Sequence, residues 1–185
     1  GESLLRSGIS WVLEVSSRES DPTDAMRFVK PAWVKHGHSE PIYSIDLQPS
    51  GPRMATGALD TTIRLWNLAH LRRPEAAVDE DLQPRLLCTL TQHQGSVNVV
   101  RWSPTGETLA SGSDDRSVIL WKMQKHAVRA ATAFGGDEAN HEVWRCARLL
   151  RRHEGDVLDV AWSADARHLA SGSIDNTVVV WETAT

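Results

Sequence analysis

Three sets of side chains in this sequence contain the residue types of a serine hydrolase, namely a hydroxyl, a histidine and an aspartate. In such an enzyme the histidine takes a proton from the hydroxyl and the aspartate orients the histidine. All three sets share one spacing: the hydroxyl lies 18 residues after the histidine, the aspartate 4 residues later, and a tryptophan 6 residues after that. The members are His38, Thr56, Asp60 and Trp66; His93, Ser111, Asp115 and Trp121; and His153, Ser171, Asp175 and Trp181.

The repetition of the set favours a structural role over catalysis. A catalytic triad is assembled once, exposes its nucleophile and needs an oxyanion hole, whereas this set occurs three times with a tryptophan attached. An indole N–H can donate to the hydroxyl, the hydroxyl to one ring nitrogen of histidine, and the other ring nitrogen to the carboxylate. The pattern therefore predicts a buried hydrogen-bonded tetrad, in which loss of one link costs about 1–3 kcal/mol.

Short apolar runs around the second tetrad indicate the elements that position it. The runs 97–102, 108–111 and 118–121 are bounded by a Ser-Pro-Thr-Gly turn at 103–106 and by an Asp-Asp-Arg turn at 114–116. Runs of this length, rich in β-branched residues and separated by turn residues, are typical of antiparallel strands. Because the unit recurs twice more, the sequence predicts a repeat protein. Three further runs are predicted as outer strands, at residues 28–34, 86–90 and 144–150.

Composition excludes several classes of protein. The chain has 185 residues, 41% of them hydrophobic, and a net charge of −4. This charge argues against a DNA-backbone binder, which should be basic. Cys88 and Cys146 lie far apart and are expected to be packing residues, and no apolar run approaches the length of about 20 residues that a membrane helix needs.

Motifs for enzymatic chemistry are missing from the sequence. It contains no phosphate-binding loop, no dinucleotide fingerprint and no paired-carboxylate motif. His36 and His38 have a metal-like spacing, but His38 is assigned to the first tetrad. We therefore expect no enzyme activity, no cofactor, no metal and no small-molecule substrate.

The repeat resembles the WD40 family. Residues 109–115 and 169–175, each beginning Leu-Ala-Ser-Gly-Ser, look like that family's second strand and turn, although no copy ends in Trp-Asp. The resemblance implies an all-β fold, a partial WD40 β-propeller of about three blades of four-stranded antiparallel sheet. The repeats are placed at about 30–67, 86–122 and 144–182, within a propeller domain at 26–185, and residues 1–25 are predicted to be a disordered N-terminal extension.

The number of blades bears on the extent of the chain. Propellers usually have four to eight blades, and WD40 rings usually have seven. The third blade is expected to lack its outer strand. The sequence is therefore expected to be a fragment of a seven-bladed ring.

A more specific resemblance is to the N-terminal propeller of the HIRA (histone regulator A) family. It rests on Lys-Pro-Ala-Trp-Val at 30–34, Trp-Arg-Cys at 144–146, the run 153–163 and Asp-Asn-Thr-Val at 175–178. The medium subunit of chromatin assembly factor 1 has a similar propeller. Membership implies a nuclear, non-enzymatic scaffold of a histone chaperone complex, active in replication-independent nucleosome assembly and repression of histone genes.

The implied partners are proteins. They are histone chaperone complex subunits of ubinuclein type, histones directly or through the complex, and chromatin indirectly, with no membrane. The alternative function is a WD40 adaptor for a ubiquitin ligase or a signalling complex.

The loops next to the tetrads are predicted to form one partner-binding rim. The segment before each first strand and the turn before each tetrad aspartate should share one end of the blades. They offer acidic and apolar side chains, which suit a basic peptide or protein, and the alternative is a solvated surface. The candidate residues are Glu40, Leu59, Ser96, Asp114, Asp156 and Ile174.

Overall fold

The described part of the computed structural model comprises residues 30–37, 39–69, 85–124 and 140–183. Its strands all lie in one compact unit, Trp33–Thr185. Of the other unit, Gly1–Ala32, only residues 30–32 are described, so the predicted N-terminal extension lies outside the described residues.

Eleven strands form three antiparallel sheets in the described residues. In blade 1 the order is β1, β2, β3, β4, and in blade 2 it is β5, β6, β7, β8. Blade 3 has three strands in the order β9, β10, β11. The strands of blade 1 are Ile42–Leu47, Arg53–Ala58, Ile63–Asn67 and Leu86–Leu90; those of blade 2 are Val97–Trp102, Thr108–Ser113, Ser117–Met123 and Trp144–Arg151; those of blade 3 are Val157–Trp162, His168–Ser173 and Val178–Glu182. The predicted all-β architecture of a partial propeller is confirmed.

The outer strand of each four-stranded blade precedes the next repeat in sequence. β4 pairs with β3 and β8 pairs with β7, so the predicted outer strands at 86–90 and 144–150 are confirmed. The strand predicted at 28–34 is wrong where it can be seen, because Ala32 and Trp33 lie in a turn. Pro31 explains part of this difference, since proline has no N–H for a ladder and is disfavoured inside strands.

Apolar side chains between neighbouring blades form the core. One buried cluster joins blades 1 and 2 and includes Leu65, Val100 and Trp121. A second cluster joins blades 2 and 3 and includes Val118 and Leu169. Because both faces of blade 2 are covered, its middle strand β6 is buried along its whole length. This packing fixes the strand ends and turns that carry the tetrads.

Candidate functional site

The tetrad of blade 2 is a continuous hydrogen-bonded chain. Trp121 Nε1 donates to Ser111 Oγ over 2.9 Å, and Ser111 Oγ lies 2.7 Å from His93 Nε2. His93 Nδ1 lies 2.8 Å from Asp115 Oδ2. The tautomer that satisfies every group has the proton on Nδ1, so that Nε2 accepts from the hydroxyl. The chain thus ties strands β6 and β7, the segment before β5 and the turn between β6 and β7.

Blade 3 repeats this arrangement with nearly the same distances. Trp181 Nε1 donates to Ser171 Oγ over 2.8 Å, and that hydroxyl lies 2.7 Å from His153 Nε2. His153 Nδ1 lies 3.0 Å from Asp175 Oδ2. In blades 2 and 3 the residues selected by spacing are therefore the ones that hydrogen-bond.

In blade 1 the histidine of the tetrad is His36, and the assignment of His38 is wrong. His36 Nε2 lies 2.7 Å from Thr56 Oγ1, which also accepts from Trp66 Nε1 at 2.8 Å. His36 Nδ1 lies 3.1 Å from Asp60 Oδ1. His38 itself lies outside the described residues.

A longer loop before β1 explains the shift in blade 1. Leu59 N donates to Pro41 O, and the same bond joins Asp114 to Ser96 and Ile174 to Asp156 in the other blades. The tetrad histidine precedes the residue that supplies this carbonyl by three positions in blades 2 and 3, but by five positions in blade 1. The two extra residues are taken up in a turn in which Glu40 N donates to His36 O, and Gly37 adopts a positive φ of 44°. Fixed spacing therefore selected the wrong histidine.

A fifth member of each network was missed by the sequence analysis. A hydroxyl two residues after each tetrad aspartate donates to that carboxylate, and the signal was present as a Ser or Thr at this position in every repeat. The donors are Thr62 at 2.7 Å, Ser117 at 2.5 Å and Thr177 at 2.5 Å.

These networks shift the pKa values of the acids and of one histidine. Burial opposes ionisation of Asp60 and Asp115, but hydrogen bonds to each carboxylate outweigh it and lower its pKa. The donors to Asp60 are Thr62 and His36. The donors to Asp115 are His93 and Ser117. At Asp175 the bond from Thr177 is the main cause of a lowered pKa. Burial lowers the pKa of His36, although its bond to Asp60 acts in the opposite direction. The lowered pKa values favour the ionised form of the three aspartates. In blade 1 the lowered pKa of His36 also favours the neutral imidazole.

The tetrads are not arranged for catalysis. The hydroxyls of Thr56, Ser111 and Ser171 are buried and each accepts from an indole, so none faces a substrate. Burial raises the pKa of the Cys88 and Cys146 thiols, which disfavours their thiolates. Within the described ranges, no group of three or more His, Cys, Asp or Glu residues is placed to hold a metal ion. The described residues also include no helix long and apolar enough to cross a membrane.

The predicted rim is only partly exposed. Leu59 of blade 1 and Ile174 of blade 3 occupy matching turns and are 40% and 54% exposed. Glu40 is exposed, but it is not the counterpart of Ser96 and Asp156. The backbone hydrogen bonds show that their counterpart in blade 1 is the next residue, Pro41. Both Ser96 and Asp156 are half-buried and use their carbonyls to hold the turns.

Asp114, the rim residue of blade 2, is engaged within the protein. Its Oδ1 accepts from Asn98 Nδ2 at 2.6 Å, and the same amide donates to Val157 O at 3.0 Å. Asn98 thus ties blade 2 to blade 3 at the rim. Asn98 was not predicted from the sequence, and neither were its counterparts in β1 and β9, Tyr43 and Leu158. Tyr43 and Leu158 are each about half exposed. The rim therefore has apolar spots on blades 1 and 3 that flank a polar tie on blade 2.

Comparison with known proteins places the chain in a family. The model of the family described as the CAF1B/HIR1 beta-propeller domain matches residues 26–185. Protein HIRA of Homo sapiens is 43% identical over 161 residues, which are 84% of this chain and 16% of that protein. The Protein HIRA homolog of Drosophila melanogaster is 42% identical over 160 residues, 85% of this chain and 15% of that protein.

A fungal relative extends the comparison. Protein HIR1 of Cryptococcus neoformans is 40% identical over 162 residues, 85% of this chain and 18% of that protein. The chain thus spans less than a fifth of the length of these relatives. With a family match from residue 26 to residue 185 and three tetrad-bearing blades, the chain belongs to the CAF1B/HIR1 β-propeller domain family.

Proposed function

We propose that this chain is part of a non-enzymatic WD-repeat scaffold of a histone chaperone complex. In this role it acts in the nucleus, in replication-independent nucleosome assembly and in the transcriptional repression of histone genes. The observation that carries the proposal is the match, at 40–43% identity, to proteins named HIRA and HIR1 over at least 84% of the chain.

The geometry of the tetrads supports a scaffold over an enzyme. Every reactive group in them is used for an internal hydrogen bond, and burial keeps the hydroxyls from solvent. The three rigid blades instead present loops at one end, and binding residues often lie on loops held by a rigid scaffold.

The partners that fit this function are proteins. We assign to the rim the binding of complex subunits of ubinuclein type, with histones bound directly or through the complex and chromatin reached indirectly. Leu59 and Ile174 supply exposed apolar contacts, and the acidic groups of Glu40 and Asp156 favour a basic partner segment.

Affinity purification of the tagged chain from nuclear extract tests the function. We expect recovery of histones with chromatin assembly subunits. Recovery of ubiquitin ligase subunits or signalling proteins, without histones or chromatin assembly subunits, would overturn the proposal in favour of an adaptor.

Matched variants test the rim separately. Leu59→Asp and Ile174→Asp should each reduce recovery of these partners at least tenfold, as expected for loss of an apolar anchor in an interface. Leu149→Asp is the control, because Leu149 is 41% exposed but lies within outer strand β8. Equal loss of partners with Leu149→Asp would show that the rim is not the binding surface.

A further inference from the structure

Three side chains of blade 1 stand together at the rim. Glu40 lies in the loop before β1, Tyr43 lies near the start of β1, and Leu59 lies in the turn after β2. Leu59 N donates to Pro41 O over 3.0 Å, which holds the turn beside the loop. Although blade 2 packs against blade 1, Tyr43 and Leu59 remain 49% and 40% exposed. We call Glu40, Tyr43 and Leu59 the rim site.

The equivalent positions of blade 2 show how Tyr43 and Leu59 are placed. Their counterparts are Asn98 and Asp114, whose side chains touch, since Asn98 Nδ2 donates to Asp114 Oδ1 over 2.6 Å. Asn98 Nδ2 also donates to Val157 O, so this pair lies at the boundary with the next blade. Tyr43 and Leu59 therefore lie side by side at the boundary with blade 2. Because leucine has no polar side-chain atom, they cannot form such a hydrogen bond and instead present an apolar surface to solvent.

Glu40 adds a carboxylate to this apolar surface, at a position where the other two blades have glycine. In blade 3 the turn residue Ile174 packs over Gly155, where an added Cβ would lie 2.8 Å from Ile174 Cγ1. Gly95 holds the same place in blade 2 and Glu40 in blade 1, since each precedes the residue whose carbonyl holds the turn. The exposed side chain of Glu40 therefore stands beside Leu59.

The charge around the rim site is acidic. The loops before the first strands and the turns before the third strands together contain seven acidic residues but one basic residue, Arg116. The acidic residues are Glu40, Asp60, Asp114, Asp115, Glu154, Asp156 and Asp175. A surface with this balance attracts cations and repels anions. The rim site therefore combines an apolar surface with an acidic surrounding.

We propose that the rim site, which presupposes the protein-binding scaffold proposed above, holds one lysine or arginine side chain of a basic partner segment. The methylene stem of that side chain lies on Tyr43 and Leu59, since long cationic side chains cover apolar surface with their stems. Its charged end lies over the ring of Tyr43 and beside the carboxylate of Glu40. An aliphatic side chain would use only the apolar half of the site, and an acidic one would be repelled.

A peptide of defined charge tests which side chain the site holds. The probe is a fluorescently labelled peptide with lysine at every third position and glycine and serine between, and fluorescence anisotropy measures its affinity for the full chain. We expect saturable binding of this peptide. The same peptide with norleucine in place of lysine should bind at least about tenfold more weakly, because norleucine keeps the stem and lacks the cation.

Variants of the chain locate the binding. Tyr43→Ala should weaken binding of the lysine peptide about tenfold, whereas Tyr43→Phe keeps the ring and should change the affinity by less than about twofold. Glu40→Gln should weaken binding about threefold, as expected for loss of an exposed ion pair. The matched controls are Glu107→Gln, which changes an exposed acid between β5 and β6, and Leu149→Ala, at a leucine as exposed as Leu59. Neither control should alter the affinity.

The outcomes separate the rim site from the proposed function. The site is overturned if the wild type does not bind the lysine peptide, if the norleucine peptide binds equally well, or if Tyr43→Ala binds like the wild type. Recovery of histones with chromatin assembly subunits from nuclear extract would in those cases leave the function standing. Loss of peptide binding in Tyr43→Ala, together with recovery of only ubiquitin ligase or signalling proteins from the extract, would support the site and overturn the function.

Discussion

Arg53 and Glu142 form a bidentate ion pair across 89 residues of sequence. Arg53 Nη2 donates to Glu142 Oε1 at 2.6 Å, and Arg53 Nε lies 3.0 Å from both carboxylate oxygens. Glu142 Oε2 also accepts from Trp144 Nε1 at 2.9 Å. Because Arg53 begins β2 of blade 1 and Glu142 lies just before β8 of blade 2, the pair joins the two blades.

Breaking this pair should destabilise the contact between blades 1 and 2. Both side chains are mostly buried, so Arg53→Ala should cost about 1–3 kcal/mol by leaving Glu142 without its charged donor. Glu142→Gln keeps the shape and the bond from Trp144 and should cost less. Chemical denaturation of the two variants measures both values, and an equal loss in both would contradict a role for the full guanidinium contact.

The tetrad of blade 2 should show separable packing and hydrogen-bond contributions. Trp121→Ala should cost about 3–5 kcal/mol, because it leaves a cavity in the cluster between blades 1 and 2. Trp121→Phe keeps most of the apolar volume and loses the donor to Ser111, so it should cost about 1–2 kcal/mol. Thermal unfolding measures the loss of stability in both variants. Equal losses would mean that the volume of the indole ring contributes little.

Sequence alone was sufficient for the features that follow a local pattern. The strands of the three sheets, the outer strands that precede repeats two and three, and the hydrogen-bonding sets of blades 2 and 3 come from spacing and turn chemistry. The fixed spacing predicted His38 in place of His36, because two extra residues in the loop before β1 lengthen the distance in sequence between the histidine and the hydroxyl. Side-chain ties such as Asn98 to Val157 join different repeats, and no local pattern identifies them.

Asp114 should contribute to stability although it lies at the rim. Since it accepts from Asn98 at 2.6 Å, Asp114→Ala should cost about 0.5–1.5 kcal/mol, the usual net value of such a bond. A double-mutant cycle with Asn98→Ala should give a coupling energy of similar size. Strictly additive effects would show that the bond contributes nothing, and Asp114 would then be available to a partner.

Thr61 occupies a left-handed turn that is unfavourable for a β-branched residue. Its φ is 66°, and Arg116 and Asn176 adopt 65° and 64° at the same place in the other blades. Asparagine tolerates this region well, so Thr61→Asn should raise the free energy of unfolding by about 0.5–1 kcal/mol. Arg116→Asn is the control, with a smaller expected gain because arginine is not branched at Cβ. A lower melting temperature for Thr61→Asn would show that the threonine makes a compensating contact.

The tetrads should make the protein less stable in acid, in two stages. The pKa of His36 is lowered, mainly by burial, so its folded form resists protonation while the unfolded chain takes up a proton at its ordinary pKa of about 6.5. The contribution of neutral His36 to the free energy of unfolding is therefore fully present above about pH 6.5, and it decreases as the pH drops below that value. The lowered pKa values of Asp60 and Asp115 act likewise below their ordinary value of about 3.9.

The melting temperature measured from pH 8 to pH 3 tests this order. It should decline gradually below about pH 6.5 and more steeply below about pH 4, because the unfolded state then binds more protons than the folded state. His36→Gln removes one titrating group, so the early decline should become shallower even though the variant is less stable throughout. Asp115→Asn should instead reduce only the decline below about pH 4. A His36→Gln profile parallel to that of the wild type between pH 7 and pH 5 would show that the buried imidazole is not the acid-sensitive group.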